Sequence, residues 1–257
     1  MQTKSSNQNR QGVQVIERAA TILRTLKNNS NGLSLGEIAK EINLPRSTVQ
    51  RIVDALIKES FVIASSTGRG FRLGPALIPL GSGQHFPIID LINPLLKTTA
   101  QETGETVDLS IMNQNQMVFI DQIPSTQRLA AISDIGISFP MYCTANGKAA
   151  LALLTEEQLS SYKTSTSLVM NTQNTISSWE QLDTQLQDIR ETGLAFDREE
   201  NSIGISAVAI ALKAPSDDIV AVSMPTPTAR FIDKENEIID AISKLEQNLH
   251  NKISSFN

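Results

Sequence analysis

The side chains best placed to do chemistry in this chain run along one short segment, Arg46-Ser47-Thr48-Val49-Gln50-Arg51. Hydroxyl and guanidinium groups bind phosphate oxygens, while Gln and Arg can make paired hydrogen bonds to adenine and guanine edges. A second pair of cations, Arg69 and Arg72, lies in and just after the glycine turn SSTGRG, where side chains could touch a phosphate backbone or a minor groove. Acid–base chemistry has thinner support. Asp197, Glu199 and Glu200 stand close together in FDREEN and could in principle move protons, but such a run is commonly a solvated acidic turn. His85 and His250 are far apart, so no Ser-His-Asp or Cys-His-Asn set can be assembled around them. Cys143 is the only cysteine, which excludes an intrachain disulfide and a thiolate metal cluster; its simplest role is as a small buried residue. Neither a metal nor a cofactor is expected. Lys148 in TANGK reads as structural, because that segment lacks the spacing of a phosphate-binding P-loop.

These groups need elements that aim them. Ile16, Ala19, Ala20, Leu23 and Leu26 recur at helical spacing, predicting an amphipathic helix from about Val13 to Lys27 that the polar run NNSNG stops. Ser34 and Glu37 form a capping-box pattern at the start of a second helix with Leu35, Ile38, Ala39 and Ile42 on one stripe. After the break Asn43-Leu44-Pro45 a third helix follows. Val49, Ile52, Val53 and Leu56 give it a buried face, which turns Ser47, Gln50, Arg51, Asp54 and Lys58 outward. That outer face is either a reader of the major groove or an ordinary solvated surface. FVIASSTGRGFRLG then reads as a hairpin, with Phe61 and Ile63 alternating on one arm and Phe71 and Leu73 on the other. Two short helices, a tight break and a basic hairpin in that order point to a winged helix-turn-helix that binds double-stranded DNA. Its contact set is Ser34, Arg46, Ser47, Thr48, Gln50, Arg51, Arg69 and Arg72.

Charge agrees with this division. Residues 1–83 hold eleven Lys and Arg against five Asp and Glu, a formal charge of +6, so the rest of the chain carries −11 of the overall −5. A basic module joined to an acidic one suits a polyanionic partner for the first, although surface charge also scatters this way without a partner. With 257 residues, 40% of them hydrophobic, the chain can bury two cores. No apolar run approaches the ~20 residues of a membrane span and the polar start MQTKSSNQNRQG lacks a secretory pattern, so a cytoplasmic location without membrane contact is expected.

Breakers from Gly74 to Pro94 mark a joint, and Leu91, Ile92, Leu95 and Leu96 suggest a linker helix, bent at Pro94, that Gly104 ends. Beyond it VDLSIM and MVFIDQI read as neighbouring strands and LAAISDI as a third. TANGKAALALL reads as a buried helix, with a second capping box at Thr155 and Gln158. Trp179, Leu182, Leu186 and Ile189 mark another helix, ISAVAIAL and IVAVSM two more strands, and Ile238, Ile242, Leu245 and Leu249 a closing helix. The expected class is α+β in two domains: a winged helix-turn-helix over 1–83, ordered from about residue 13, a linker helix over 84–104, and a mixed or antiparallel sheet with helices over 105–257.

Five dispersed segments in order, LSLGEIAKEINLPRSTVQRIVDAL, TGETVDLSI, VFIDQI, PMYCTANGKAALA and IRETGLAFDREENSIGISAVA, resemble the IclR family of bacterial transcriptional regulators over nearly the whole length. The resemblance implies a winged-helix first domain that binds operator DNA, a GAF-like second domain that binds a small effector, and assembly as a homodimer or a dimer of dimers. It implies effector positions at Arg128, Ala131, Ala145, Asn146, Asp197, Ile205, Ala207, Ser223 and Pro225. An organic or aromatic acid is the effector it suggests, held by backbone N–H groups where the TANGK helix begins. Ala207 and Pro225 stand where some relatives carry small or hydroxylated residues. Two other classes remain open: a metabolic enzyme with a scaffolding first domain, and an architectural protein indifferent to DNA sequence.

Overall fold

The computed structural model describes residues 5–65, 70–82 and 86–254, with side chains from residue 14 onward and that of Ser82 set aside. Arg69, Gly83 and His85 therefore lie outside the described residues. The chain divides into two compact units, Met1–His85 and Phe86–Asn257. No helix among the described residues is long and apolar enough to cross a membrane.

The first unit runs α1 (Ser5–Lys27), α2 (Leu35–Glu41), α3 (Arg46–Lys58), β1 (Val62–Ala64), β2 (Phe71–Leu73) and α4 (Leu77–Ser82). Both halves of the Ser34–Glu37 capping box are formed at the head of α2. Asn43 takes a left-handed φ of 52° in the break, and Pro45 sits at the N-cap of α3. Val49, Ile52, Val53 and Leu56 are the buried residues of α3, as their spacing predicts, and they meet Ile22, Leu26 and Ile38. Three details differ from the sequence reading, the first being that α1 begins at Ser5 rather than near Val13. Ile16 is 72% exposed, and the inward stripe of α1 is carried by Ile22, Thr25 and Leu26. In the hairpin Val62 pairs with Leu73 and Ile63 with Arg72, so Val62 faces the core and Ile63 shares the outer face with Arg72. Phe71 also bridges Leu33, and a Cβ on Gly70 (φ 90°) would lie 2.1 Å from the Leu33 carbonyl oxygen, which explains the glycine there.

The second unit is built on one antiparallel sheet, β5-β4-β3-β8-β7-β6. In chain order it comprises α5 (Pro87–Thr103), β3 (Val107–Asn113), β4 (Gln116–Ile123), β5 (Ser138–Pro140), α6 (Ala145–Ala152), α7 (Glu156–Ser165) and α8 (Trp179–Thr192). β6 (Ala195–Arg198), β7 (Ile205–Lys213), β8 (Ile219–Pro227), α9 (Thr228–Asp233) and α10 (Glu235–Ser254) follow. Gly104 closes α5 in the left-handed conformation, as read. The helix expected as a linker packs Ile88, Ile92 and Leu96 into the core of this unit beside α10. LAAISDI is not a strand; residues 124–137 form a loop in which Leu129, Ile132 and Ile135 are exposed.

The two sheet faces differ in size of side chain. Val208, Ile210, Leu212, Val220, Val222 and Met224 face α5 and α10, whereas Ala207, Ala209, Ala221 and Ser223 face α6. Small residues on that side let a helix lie close against the strands. All eight residues of α6 are buried.

Candidate functional site

In the first unit the segment singled out by its chemistry forms the start of α3. Arg46, Ser47 and Arg51 are exposed, and Thr48 and Gln50 are half-buried at the edge of the core. Gln50 donates from Nε2 to Asp54 Oδ1 at 2.7 Å, one helical turn on. Among the described residues Arg46, Arg51 and Arg72 have no ion-pair partner. Ser34, placed in the same set, uses its Oγ to accept from the Glu37 backbone N–H as the cap of α2.

The second unit holds a cavity of about 320 Å³ between the α6 side of the sheet, the start of α6 and the 124–137 loop. That volume is at the lower end of the range for small-molecule sites. Register explains its floor. Asp197 pairs with Ala207 and Ala207 with Pro225, and the next row on the same face runs Ala209, Ser223, Asp108, Gln122. Ile205, Ala131 and Asn146 complete the expected positions that line it, seven of the nine. Arg128 is exposed and is not among the lining residues, and Ala145 is turned into the hydrophobic core.

The polar groups fall into spent and available sets. Asn146 Nδ2 donates to Ser110 Oγ at 3.0 Å, and Asn146 Oδ1 accepts from the Gly147 backbone N–H at 3.0 Å. One donor at the head of α6 is thus already used, which weakens the anion grip expected there. Asp108 accepts from Gln122 Nε2 at 2.7 Å and from Ser133 Oγ at 2.8 Å. Asp197 Oδ1 accepts from the Glu200 N–H at 2.7 Å and more distantly from that of Asn201. Asp197 Oδ2 and Ser223 Oγ have no hydrogen-bond partner among the described residues.

Both carboxyls are held above the usual range. Burial pushes Asp197 up to about 7 against the hydrogen bond from Glu200, and burial pushes Asp108 up to about 6 against those from Gln122 and Ser133. The nearest buried cation is committed elsewhere: Lys148 Nζ lies 2.5 Å from Glu200 Oε1 and 2.6 Å from Gln185 Oε1. Lys148 therefore ties α6 to α8 and to the turn after β6. That turn is not the solvated acidic loop its composition suggests, because Asp197 and Glu200 are 5% and 6% exposed. Thr172 and Thr175 pin it by donating to the Glu199 and Glu200 carbonyls, each at 2.6 Å.

The sequence reading missed Asp108, Phe119, Ser133 and Phe139 on the cavity wall. Phe119 and Phe139 stand edge to face, 5.5 Å between centroids. A signal for Asp108 was present: in VDLSIM it shares a face with Ser110, an unusual pair of polar residues in a strand flanked by apolar ones.

Comparison with known proteins agrees with this architecture. Residues 82–251 match the family model described as bacterial transcriptional regulator IclR C-terminal, and residues 15–63 match that of the IclR helix-turn-helix domain. The chain is 41% identical over 231 residues to an HTH-type transcriptional regulator of Mycobacterium tuberculosis, covering 90% of this chain and 89% of that one. It is 40% identical over 201 residues to the HTH-type transcriptional regulator TtgV of Pseudomonas putida, covering 78% and 77%. The crystal structure of the Thermotoga maritima IclR superposes with a TM-score of 0.74 at 29% identity, over 94% of this chain and 99% of that one.

Proposed function

The chain belongs to the IclR family of bacterial transcriptional regulators, and from that premise we propose that α3 reads operator DNA while a small molecule in the cavity of the second unit controls that binding. One observation carries the DNA half: Arg46, Ser47 and Arg51 are exposed on one end of α3, and the arginines are not engaged in ion pairs among the described residues. Thr48 and Gln50, half-buried on the same segment, are of types that pair with base edges, Gln50 on release from Asp54; Ser34 lies at the head of α2, and Arg72 supplies a cation from the wing. Arg69 extends the wing set from sequence alone. A homodimer or a dimer of dimers places two such helices in successive major grooves of a near-palindromic site. A cytoplasmic location accompanies this reading.

The effector half is supported by the cavity, whose lining includes Ala131, Asn146, Asp197, Ile205, Ala207, Ser223 and Pro225. Arg128 and Ala145 are left out of the contact set, since neither lines it.

The test is binding of the full chain to an operator selected from random duplexes, measured by fluorescence anisotropy over a salt series. Arg51→Ala is expected to weaken operator binding by about tenfold or more and, if it contacts phosphate, to reduce the salt slope by about one. Unchanged affinity at low salt would overturn the assignment of α3. Equal affinity for the selected operator and a scrambled duplex would favour the architectural reading.

A further inference from the structure

The charge of the cavity speaks to what enters it. Among the described residues its lining contains two carboxylates, Asp108 and Asp197, and no Lys, Arg or His. Both are nine-tenths or more buried, Asp108 at 0% and Asp197 at 5% exposure. The buried cation nearest to Asp197, Lys148, is held by Glu200 and Gln185. Arg128, the one cation among the expected effector positions, is exposed outside the lining. Where both acids are ionised, a carboxylate ligand would therefore sit beside two buried negative charges with no counter-charge on the lining, and like charges brought together away from water repel strongly.

The same walls suit a donor. Asp197 Oδ2 is an acceptor without a partner among the described residues, and Ser223 Oγ, 4% exposed, is open on the next row of the same face, two strands away across β7 and paired in register with Asp108. Asp108 keeps further lone pairs on both oxygens after accepting from Gln122 and Ser133. Apolar side chains complete the lining, Phe119 and Phe139 toward one edge of the sheet, Ile205 and Pro225 toward the other, and Ile132 from the loop.

We propose that the effector is a hydrogen-bond donor without negative charge, with an apolar body against the cavity's apolar side chains and a hydroxyl, amide or ammonium group directed at one of the two buried carboxyls, Asp108 on the side of Phe119 and Phe139 or Asp197 on the side of Ala207 and Pro225. This deepens the effector reading above and rests on the cavity being the effector site. It replaces the organic acid that family likeness suggests. Asp108 becomes a specificity-determining residue, and because it also holds Ser133 it joins ligand charge to the position of the 124–137 loop. Thr106 Oγ1 donates to the Ala131 carbonyl at 2.7 Å and Gln122 Nε2 to that of Ser133 at 2.8 Å, so the loop is fastened at the stretch that walls the cavity.

The experiment is calorimetric titration of the full chain at pH 8 with benzyl alcohol, benzylamine and benzoate, which share a ring and differ in the charge of one group. The alcohol or the amine is expected to bind at least about tenfold more tightly than benzoate. Ala207→Trp, which fills the cavity, is expected to abolish that binding, with Ser223→Leu as a second filling variant checked for folding by circular dichroism. Asp108→Asn or Asp197→Asn is expected to narrow the preference over benzoate, most for the amine, the effective variant marking the carboxyl that holds the group; a preference for the amine that it abolishes identifies a cation rather than a neutral donor, and no change in either variant overturns the inference. Tighter binding of benzoate, lost on filling, overturns the charge class and leaves the cavity reading in place. Binding that survives both filling variants overturns the cavity reading and the inference with it. Failure of all three probes at millimolar concentration overturns a ring-sized donor.

Discussion

Asp197 is a carboxyl that water would hold more comfortably than this cavity does. Burial is the main cause of its rise to about 7, Glu200 adds to it, and the hydrogen bonds from Glu200 and Asn201 with the charge of Lys148 oppose it. An acid whose pKa is higher folded than unfolded binds its proton more tightly in the folded state. Its contribution is therefore fully favourable below about pH 4, the unfolded value, and is lost as pH rises through about 7. Asp108 acts in the same direction up to about 6. Asp197→Asn keeps an oxygen to accept from the Glu200 N–H and removes the charge. It is expected to stabilise the second unit by about 2 kcal/mol at pH 8 and to change it little near pH 4. Urea unfolding at the two pH values checks this, and an equal effect at both would sink the electrostatic account. The sequence shows Asp197 but not its burial. The threonines that fold FDREEN inward, Thr172 and Thr175, are more than twenty residues away from the carbonyls they bind, a contact no local pattern announces.

At the scale of elements, α6 and the strands beneath it hold the cavity open, and their fit depends on the absence of side chains. A Cβ on Gly147 would lie 2.3 Å from Met141 Cα and 2.4 Å from the Met141 carbonyl oxygen, both of them backbone atoms that cannot rotate away. Gly147→Ala should therefore destabilise the second unit by about 1–3 kcal/mol, although alanine is the better helix former. A thermal melt that rises instead would show that α6 has room the geometry denies it. The long elements were legible because period alone defines them. α3 buries the four residues its spacing picks out, and α8 opens at Trp179 with Leu182, Leu186 and Ile189 inward. LAAISDI misled because its apolar residues alternate loosely with polar ones while Leu129, Ile132 and Ile135 stand exposed; side-chain bonds from Thr106 and Gln122, not a strand ladder, fix it. β6, α4 and α9 span four to six residues, too few for a period to declare itself.

For the whole molecule, a basic unit and an acidic one form a switch only if occupancy of the cavity and of DNA are energetically linked. A ligand changes operator affinity solely through the difference in its affinity for the DNA-competent and incompetent arrangements. Linkage then requires that operator DNA change the ligand's affinity by the same factor, ordinarily about 5–150-fold. Whichever of benzyl alcohol or benzylamine binds the free chain should accordingly bind the operator complex with a dissociation constant altered by the factor by which it alters operator affinity. Calorimetry on the free chain and on the complex, set against anisotropy with and without ligand, measures both sides. Equal ligand affinity in the two states means that occupancy of the cavity does not reach α3, and its role would then be confined to the stability of the second unit. A matched, non-unit factor that disappears in Asp108→Asn, while ligand still binds, would trace the coupling through the carboxylate that holds Ser133 and the 124–137 loop.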